Sequence, residues 1–183
     1  MSSPLVPVLT SAGLAAVANA QGTGLLATID RIAVGRGTLQ SGVYKGYAPD
    51  KAQTALKGEM ARLPILSGSR RDPSGFSVLA LLPATSPGEY PINEAGFYLA
   101  NGTLFAVWSD AVYPLAYKTT QADVELGFDL LLDAIPTSAL AITVLNPDIP
   151  DTAGALALLL SCHVRNFIKS LNAEKRAVAR GIY

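Results

Sequence analysis

Apolar and polar residues follow different rhythms in different parts of the chain, and each rhythm predicts a different element. Behind Thr10, the segment SAGLAAVANAQ sets Leu14, Val17 and Ala18 on one face at helical spacing. Thr10 offers a side-chain oxygen as N-cap, and Gly22-Thr23-Gly24 ends the helix. TIDRIAVGRG then alternates, with Ile29, Arg31 and Ala33 on one side and Asp30, Ile32 and Val34 on the other. That is a strand, closed by Gly35 and Gly37. The pattern weakens through TLQSGVYKGYAPDKAQTALKGE, which predicts loop and then a brief helical turn. Asp50 would cap that turn, and Ala52, Ala55 and Leu56 would form its apolar side. EMARLPILSGSRRDPSGFSVLALLP reads as two strands around a Gly/Ser/Arg/Asp/Pro turn. Its second strand, FSVLALL, is continuous rather than alternating and is expected to be buried on both faces.

The stretch Ile92 to Ser109, INEAGFYLANGTLFAVWS, carries the strongest local signal. Ala95–Ala100 and Thr103–Ser109 flank Asn101-Gly102, a pair suited to the two positive-φ positions of a type I′ turn. A looser segment follows. VELGFDLLLDAI and LAITVL then predict two more strands, separated by Pro136-Thr137-Ser138.

Asn146-Pro147 and Ile149-Pro150 read as a stiff, extended linker. Beyond them the segment from Thr152 has no proline, and its only glycines are Gly154 and Gly181. Ala157, Leu160, Val164, Phe167, Leu171, Glu174 and Val178 step by three and four in turn. This is a heptad seam over about three repeats, interrupted by Glu174. The basic residues Arg165, Lys169, Lys175, Arg176 and Arg180 fall outside it. The predicted fold class is therefore α+β: a mostly antiparallel β body with a short N-terminal helix, plus a C-terminal helical oligomerisation tail. The body is placed at residues 1–147, and the linker and helix at residues 148–183.

Charge sharpens that division. Residues 1–150 hold nine Lys/Arg and twelve Asp/Glu, a net of −3, whereas residues 151–183 hold five and two, a net of +3. The whole chain is formally neutral, which leaves no global basic footprint for nucleic acid. Only 15% of its residues are charged, against roughly 25% in ordinary soluble domains. A surface so short of charge is expected to be covered in use by other subunits. The longest apolar run, Ala153–Leu160, falls far short of the roughly 20 residues of a membrane span, so no membrane partner is expected. The N-terminus has no basic region followed by an apolar core, so no signal peptide is expected. Cys162 is the single cysteine, so no intrachain disulfide is possible.

Candidate chemistry is thin. Glu94 stands beside a glycine and two aromatics, but no second acid, base or metal ligand accompanies it locally. It is read as a buried structural acid, hydrogen-bonded to backbone. Asp123, Glu125, Asp129 and Asp133 share one side of a predicted strand, without the glycine-turned Asp-x-Asp loop of a cation site. They are read as a solvated face. His163 is the only histidine, and it and Cys162 point about 100° apart on a helix, so neither zinc binding nor a nucleophile–base pair is served. Arg70-Arg71 could hold a phosphate or carboxylate, but they lie in a turn where arginines are ordinarily solvated. Neither metal nor cofactor is expected, and no nucleotide-binding or hydrolase motif occurs.

The order of the pieces is more specific than any one of them. A threonine-capped LTSAGLAAVANA helix leads to IDRIAVGRG, then to APDKAQTALKGEMARLPI, INEAGFYLANGTLFAVWS, YPLAYKTT and VELGFDLLL. This succession, over about residues 8–147, resembles the N-terminal domain of the phage tail-collar fibre family. The resemblance rests on Ala33, Val34, Gly35 and Gly37, then on Glu94, Gly96, Phe97, Gly102, Leu104 and Ala106, with Asn101 in the turn. It implies a virion protein of a contractile tail that fixes a fibre to the baseplate, ordinarily as a homotrimer, and it implies no catalysis. Such fibres continue into a long shaft and a receptor-binding tip, whereas here about 33 residues follow Pro150. The expectation is therefore an adaptor or stub fibre. Its seams of Ala157, Leu160, Val164, Phe167, Leu171 and Val178 would form a three-helix bundle, and a second fibre protein would dock on those helices. Two rival readings are a carbohydrate-recognising module, with Tyr44, Tyr47 and Tyr90 as loop aromatics, and a polysaccharide hydrolase built on Asp123, Glu125 and Asp129.

Overall fold

The computed structural model describes residues 7–71, 75–131 and 137–144. Along the chain run β1 (Val8–Leu9), α1 (Ser11–Gly22), β2 (Ala27–Gly35), β3 (Thr38–Gln40), β4 (Val43–Lys45), β5 (Glu59–Pro64) and β6 (Ser67–Arg71). They are followed by β7 (Gly75–Leu82), β8 (Tyr90–Ile92), β9 (Glu94–Leu99), β10 (Leu104–Ser109), β11 (Ala116–Lys118), β12 (Val124–Leu131) and β13 (Leu140–Ile142). The described residues are mostly antiparallel β with one short helix; β13 joins β2 in parallel. The linker, the heptad residues from Ala157 to Val178, Cys162, His163 and Asp133 lie outside the described residues.

The largest sheet has the order β1-β10-β9-β2-β13, with β5 also paired to β2. A three-stranded sheet, β12-β7-β6, supplies the opposing apolar side chains. Ile29, Ile32, Val34 and Phe97 from the first meet Phe76, Val78, Ala80, Leu126, Phe128 and Leu130 from the second. Phe97 and Phe128 touch edge to face, with ring centroids 5.3 Å apart and planes at 89°, the arrangement that ring quadrupoles favour. Val17 of α1 joins this core, with Leu14, Ala16 and Ala20 packed around it. A smaller cluster of Ala33, Leu56, Tyr98, Leu104 and Val107 covers the other face of the large sheet.

The helix is fixed at both ends. Thr10 is fully buried; its Oγ1 accepts from Gly13 N at 2.9 Å and donates to the Leu104 carbonyl. At the other end Gly24 N donates to Gln21 O and Leu25 N to Ala20 O, with Gly24 at φ +73°. That is the paired closure of a Schellman motif. The inward face is Gly13, Leu14, Ala16, Val17 and Ala20; Ala18, expected there, is exposed. Gly13 is needed for close approach, since a Cβ would stand 2.6 Å from the Phe105 backbone.

Several expectations are corrected. The Asn101-Gly102 turn is not type I′. Gly102 N donates to Leu99 O, Leu99 N donates to Thr103 O, and only Gly102 has positive φ, at +84°. Asn101 Oδ1 turns back to accept from Thr103 N, which holds the asparagine at negative φ in a three-residue loop. The turn with both central φ positive is Ser41-Gly42, at +49° and +81°, joining β3 to β4. The helical turn expected after Asp50 is a single Asx-type turn, with Ala52 N donating to Asp50 Oδ1 and Gln53 N to Asp50 O. Lys57 and Gly58 turn their N–H groups to a side chain far along the chain, and so withhold them from a helix.

EMARLPIL also divides. Pro64 closes β5 because it has no N–H to extend a ladder. Leu66 N then donates to Leu79 O, and the chain passes into the second sheet. β7 is not buried on both faces. Phe76, Val78, Ala80 and Leu82 are buried, while Ser77, Leu79 and Leu81 are half-buried. The strict two-face alternation expected for β2 fails between Ile29 and Arg31, where its register against β9 slips. After the slip Ile32 and Val34 join Ile29 in the main core, and Ala33 faces the smaller cluster.

Candidate functional site

Residues 36–58 leave the large sheet after β2 and return at β5, and a group of buried polar side chains holds them down. Glu94, at the start of β9, is fully buried. Its Oε1 accepts from Gly58 N at 2.6 Å and Gly37 N at 3.2 Å; its Oε2 accepts from Tyr47 Oη at 2.6 Å and Lys57 N at 3.0 Å. Three backbone donors and one phenol thus surround one carboxyl group, and among the described residues no charged side chain is bonded to it. Burying such a group unpaired would cost several kcal/mol, roughly, and hydrogen bonding of this completeness is what compensates it.

The glycines around it are set by contact rather than by flexibility. A Cβ on Gly35 would stand 2.4 Å from Glu94 Oε1 and 2.5 Å from Gly58 O. Gly37 adopts φ +76°, and its built Cβ would meet Lys45 O at 2.2 Å. Alternation along β9 turns Glu94, Gly96 and Tyr98 to the excursion and Phe97 to the core. At Gly96 a Cβ would press on Leu56 and Leu104, each at 3.0 Å, so its absence lets Leu56 close over the sheet.

Neighbouring groups extend the hold. Asn93 Nδ2 donates to Arg36 O and Tyr44 O, at the base of the β3–β4 hairpin. Ser109 Oγ donates to Asn93 O and accepts from Tyr47 N. Gln53 Nε2 donates to Tyr47 Oη. Burial, and then the bond to Glu94, raise the Tyr47 pKa above the ordinary tyrosine value. Lys57 Nζ lies 4.0 Å from the centre of the Tyr47 ring. Asn93, Ser109 and Tyr47 were not singled out together from the sequence. Their common signal is a short polar residue at each end of an otherwise apolar hairpin, INE and WSD, with a tyrosine inside a Gly/Pro loop.

With these four donors placed around Glu94, the geometry serves to fasten one segment onto another. Gly35, Gly37, Glu94 and Gly96 meet at this point; Phe97 belongs to the core, and Asn101 and Gly102 form the exposed turn at the far end of the hairpin. Among the other candidates, Asp123 accepts from Ala84 N, Ser77 Oγ donates to Asp129, and Glu125 is exposed. No group of three His, Cys, Asp or Glu residues among the described residues is placed to hold a metal ion. Arg70 is exposed, 5.9 Å from the Phe76 ring centre. The loop aromatics are not a sugar platform: Tyr47 and Tyr90 are buried, and Tyr44 is half-buried with Arg36 stacked 4.1 Å from its ring centre. No helix of the described residues is long and apolar enough to cross a membrane.

A family model described as phage tail-collar fibre protein, N-terminal, matches residues 1–139. No curated protein and no solved structure matches the chain.

Proposed function

The chain belongs to the phage tail-collar fibre family through residues 1–139, a family of structural virion tail components, and on that premise we propose that it is a tail-fibre or fibre-adaptor subunit that attaches to the baseplate of a phage or phage-like contractile particle. The observation that carries this reading is the family match across nearly all of the described body. The buried polar group supports it, since Glu94 spends its hydrogen-bonding capacity on holding residues 36–58 as a rigid surface. In this reading the body attaches to the baseplate, three copies assemble, and the heptad of Ala157, Leu160, Val164, Phe167, Leu171 and Val178 joins them. A second fibre protein then docks on the helices.

The test is made on particles. Particles assembled without this chain are expected to have complete tails and baseplates that lack fibres, and purified chain added back should restore the fibres. Fibres retained in its absence would overturn the reading.

A further inference from the structure

Two surfaces of the body are left incomplete among the described residues. The first is the β3–β4 hairpin. Its pairing, Thr38 to Lys45, Leu39 to Tyr44 and Gln40 to Val43, puts Val43 and Lys45 on one face and Leu39 and Tyr44 on the other. Leu39 is 61% and Val43 57% exposed, so apolar residues reach solvent on both faces. Two strands alone are marginal in water and ordinarily need a third strand or a packing surface. The hairpin segment 36–45 carries Arg36 and Lys45 and no acid. The Lys45 ammonium is exposed and has no partner among the described residues.

The second surface is β12. It lies at the edge of its sheet, paired only to β7 among the described residues, so alternate residues along the strand present an open row of backbone donors and acceptors. Such an edge is a template for another strand unless it is covered. Its solvent face holds Glu125, Gly127 and Asp129, with Asp123 just before it, and no Lys or Arg occurs from residue 119 to 131. Glu125 is exposed and unpaired among the described residues. Gly127 leaves a gap between the two acids, where a Cβ would touch only Leu79, at 3.9 Å.

We propose that the β3–β4 hairpin of one copy seats along the open β12 edge of a second copy, with Lys45 facing Glu125. The two surfaces complement each other in charge and in backbone pairing, and every copy carries both. A contact between two different patches is heterologous, and such contacts close into a ring when the rotation allows. The proposal rests on the multi-copy reading above and adds which surfaces of the body meet.

The test uses the full chain and charge reversal at two exposed positions that touch none of the buried polar group. Lys45→Glu alone and Glu125→Lys alone should each weaken association about tenfold or more in concentration-dependent light scattering, because like charges then face each other. The two variants combined in one chain should restore it. Circular dichroism melts should be unchanged throughout. If the wild-type chain assembles and neither single variant weakens it, or both do and the combination fails to restore it, the surface assignment is overturned while the multi-copy reading stands. If the wild type is a monomer at every concentration, both fall.

Discussion

Glu94 has four hydrogen-bond donors on two oxygens and no room beside them, since Gly35 already stands where a methyl group would collide. Glu94→Ala should therefore leave three backbone N–H groups and the Tyr47 hydroxyl unsatisfied. The expected loss is about 3–5 kcal/mol in denaturant unfolding. Glu94→Gln keeps the shape but turns an amide N–H₂ against backbone donors, and should cost about 1–3 kcal/mol. A neutral result for Glu94→Ala would contradict the fastening role. Alkaline pH offers a second test. Burial raises the pKa of Tyr47, Tyr90 and Tyr98 above the ordinary value of 10.0. Above that pH the unfolded chain releases tyrosine protons that the folded chain keeps, so stability falls as pH rises further. Tyr47→Phe removes one of the three contributions, and its stability should decline less steeply than the wild type's above about pH 10. A sequence reading could identify Glu94 as a structural acid. It could not name Gly37, Tyr47, Lys57 and Gly58 as partners, because these lie 36 to 57 positions away and only the fold brings them in.

Elements were legible where the signal is local. The Thr10 cap and the Gly22-Thr23-Gly24 stop are written in adjacent residues, and both ends of α1 form there. Thr10→Ala should cost about 1–2 kcal/mol in thermal or denaturant unfolding, because the cap also ties the helix to β10. A loss below a few tenths would show that the helix is held by packing alone. The two Xaa-Gly turns show where local reading runs out. Asn101-Gly102 has the better residues for a type I′ turn, yet the conformation occurs at Ser41-Gly42. Asn101 turns its side chain onto Thr103 N, and the loop gains a residue. The slip in β2 and the passage of β5 into β6 were likewise invisible. Both answer to strands far along the chain, with Leu99 and Tyr98 opposite the slip and Leu79 receiving the passage. The continuous apolar run of β7 misled because half-buried leucines occupy its outer face.

At the scale of the whole molecule, the succession of elements was informative enough to indicate the family before any contact was known, and the match over residues 1–139 establishes membership. We propose that three copies act together, held by the heptad from Ala157 to Val178 and by contacts between bodies. The measurement that tests this most directly is the solution mass of the purified full chain by light scattering, beside a version truncated after Pro150. The expected result is a mass of three chains for the full protein and a weaker, concentration-dependent assembly for the truncated one. A full chain that stays a single copy at every concentration would contradict it.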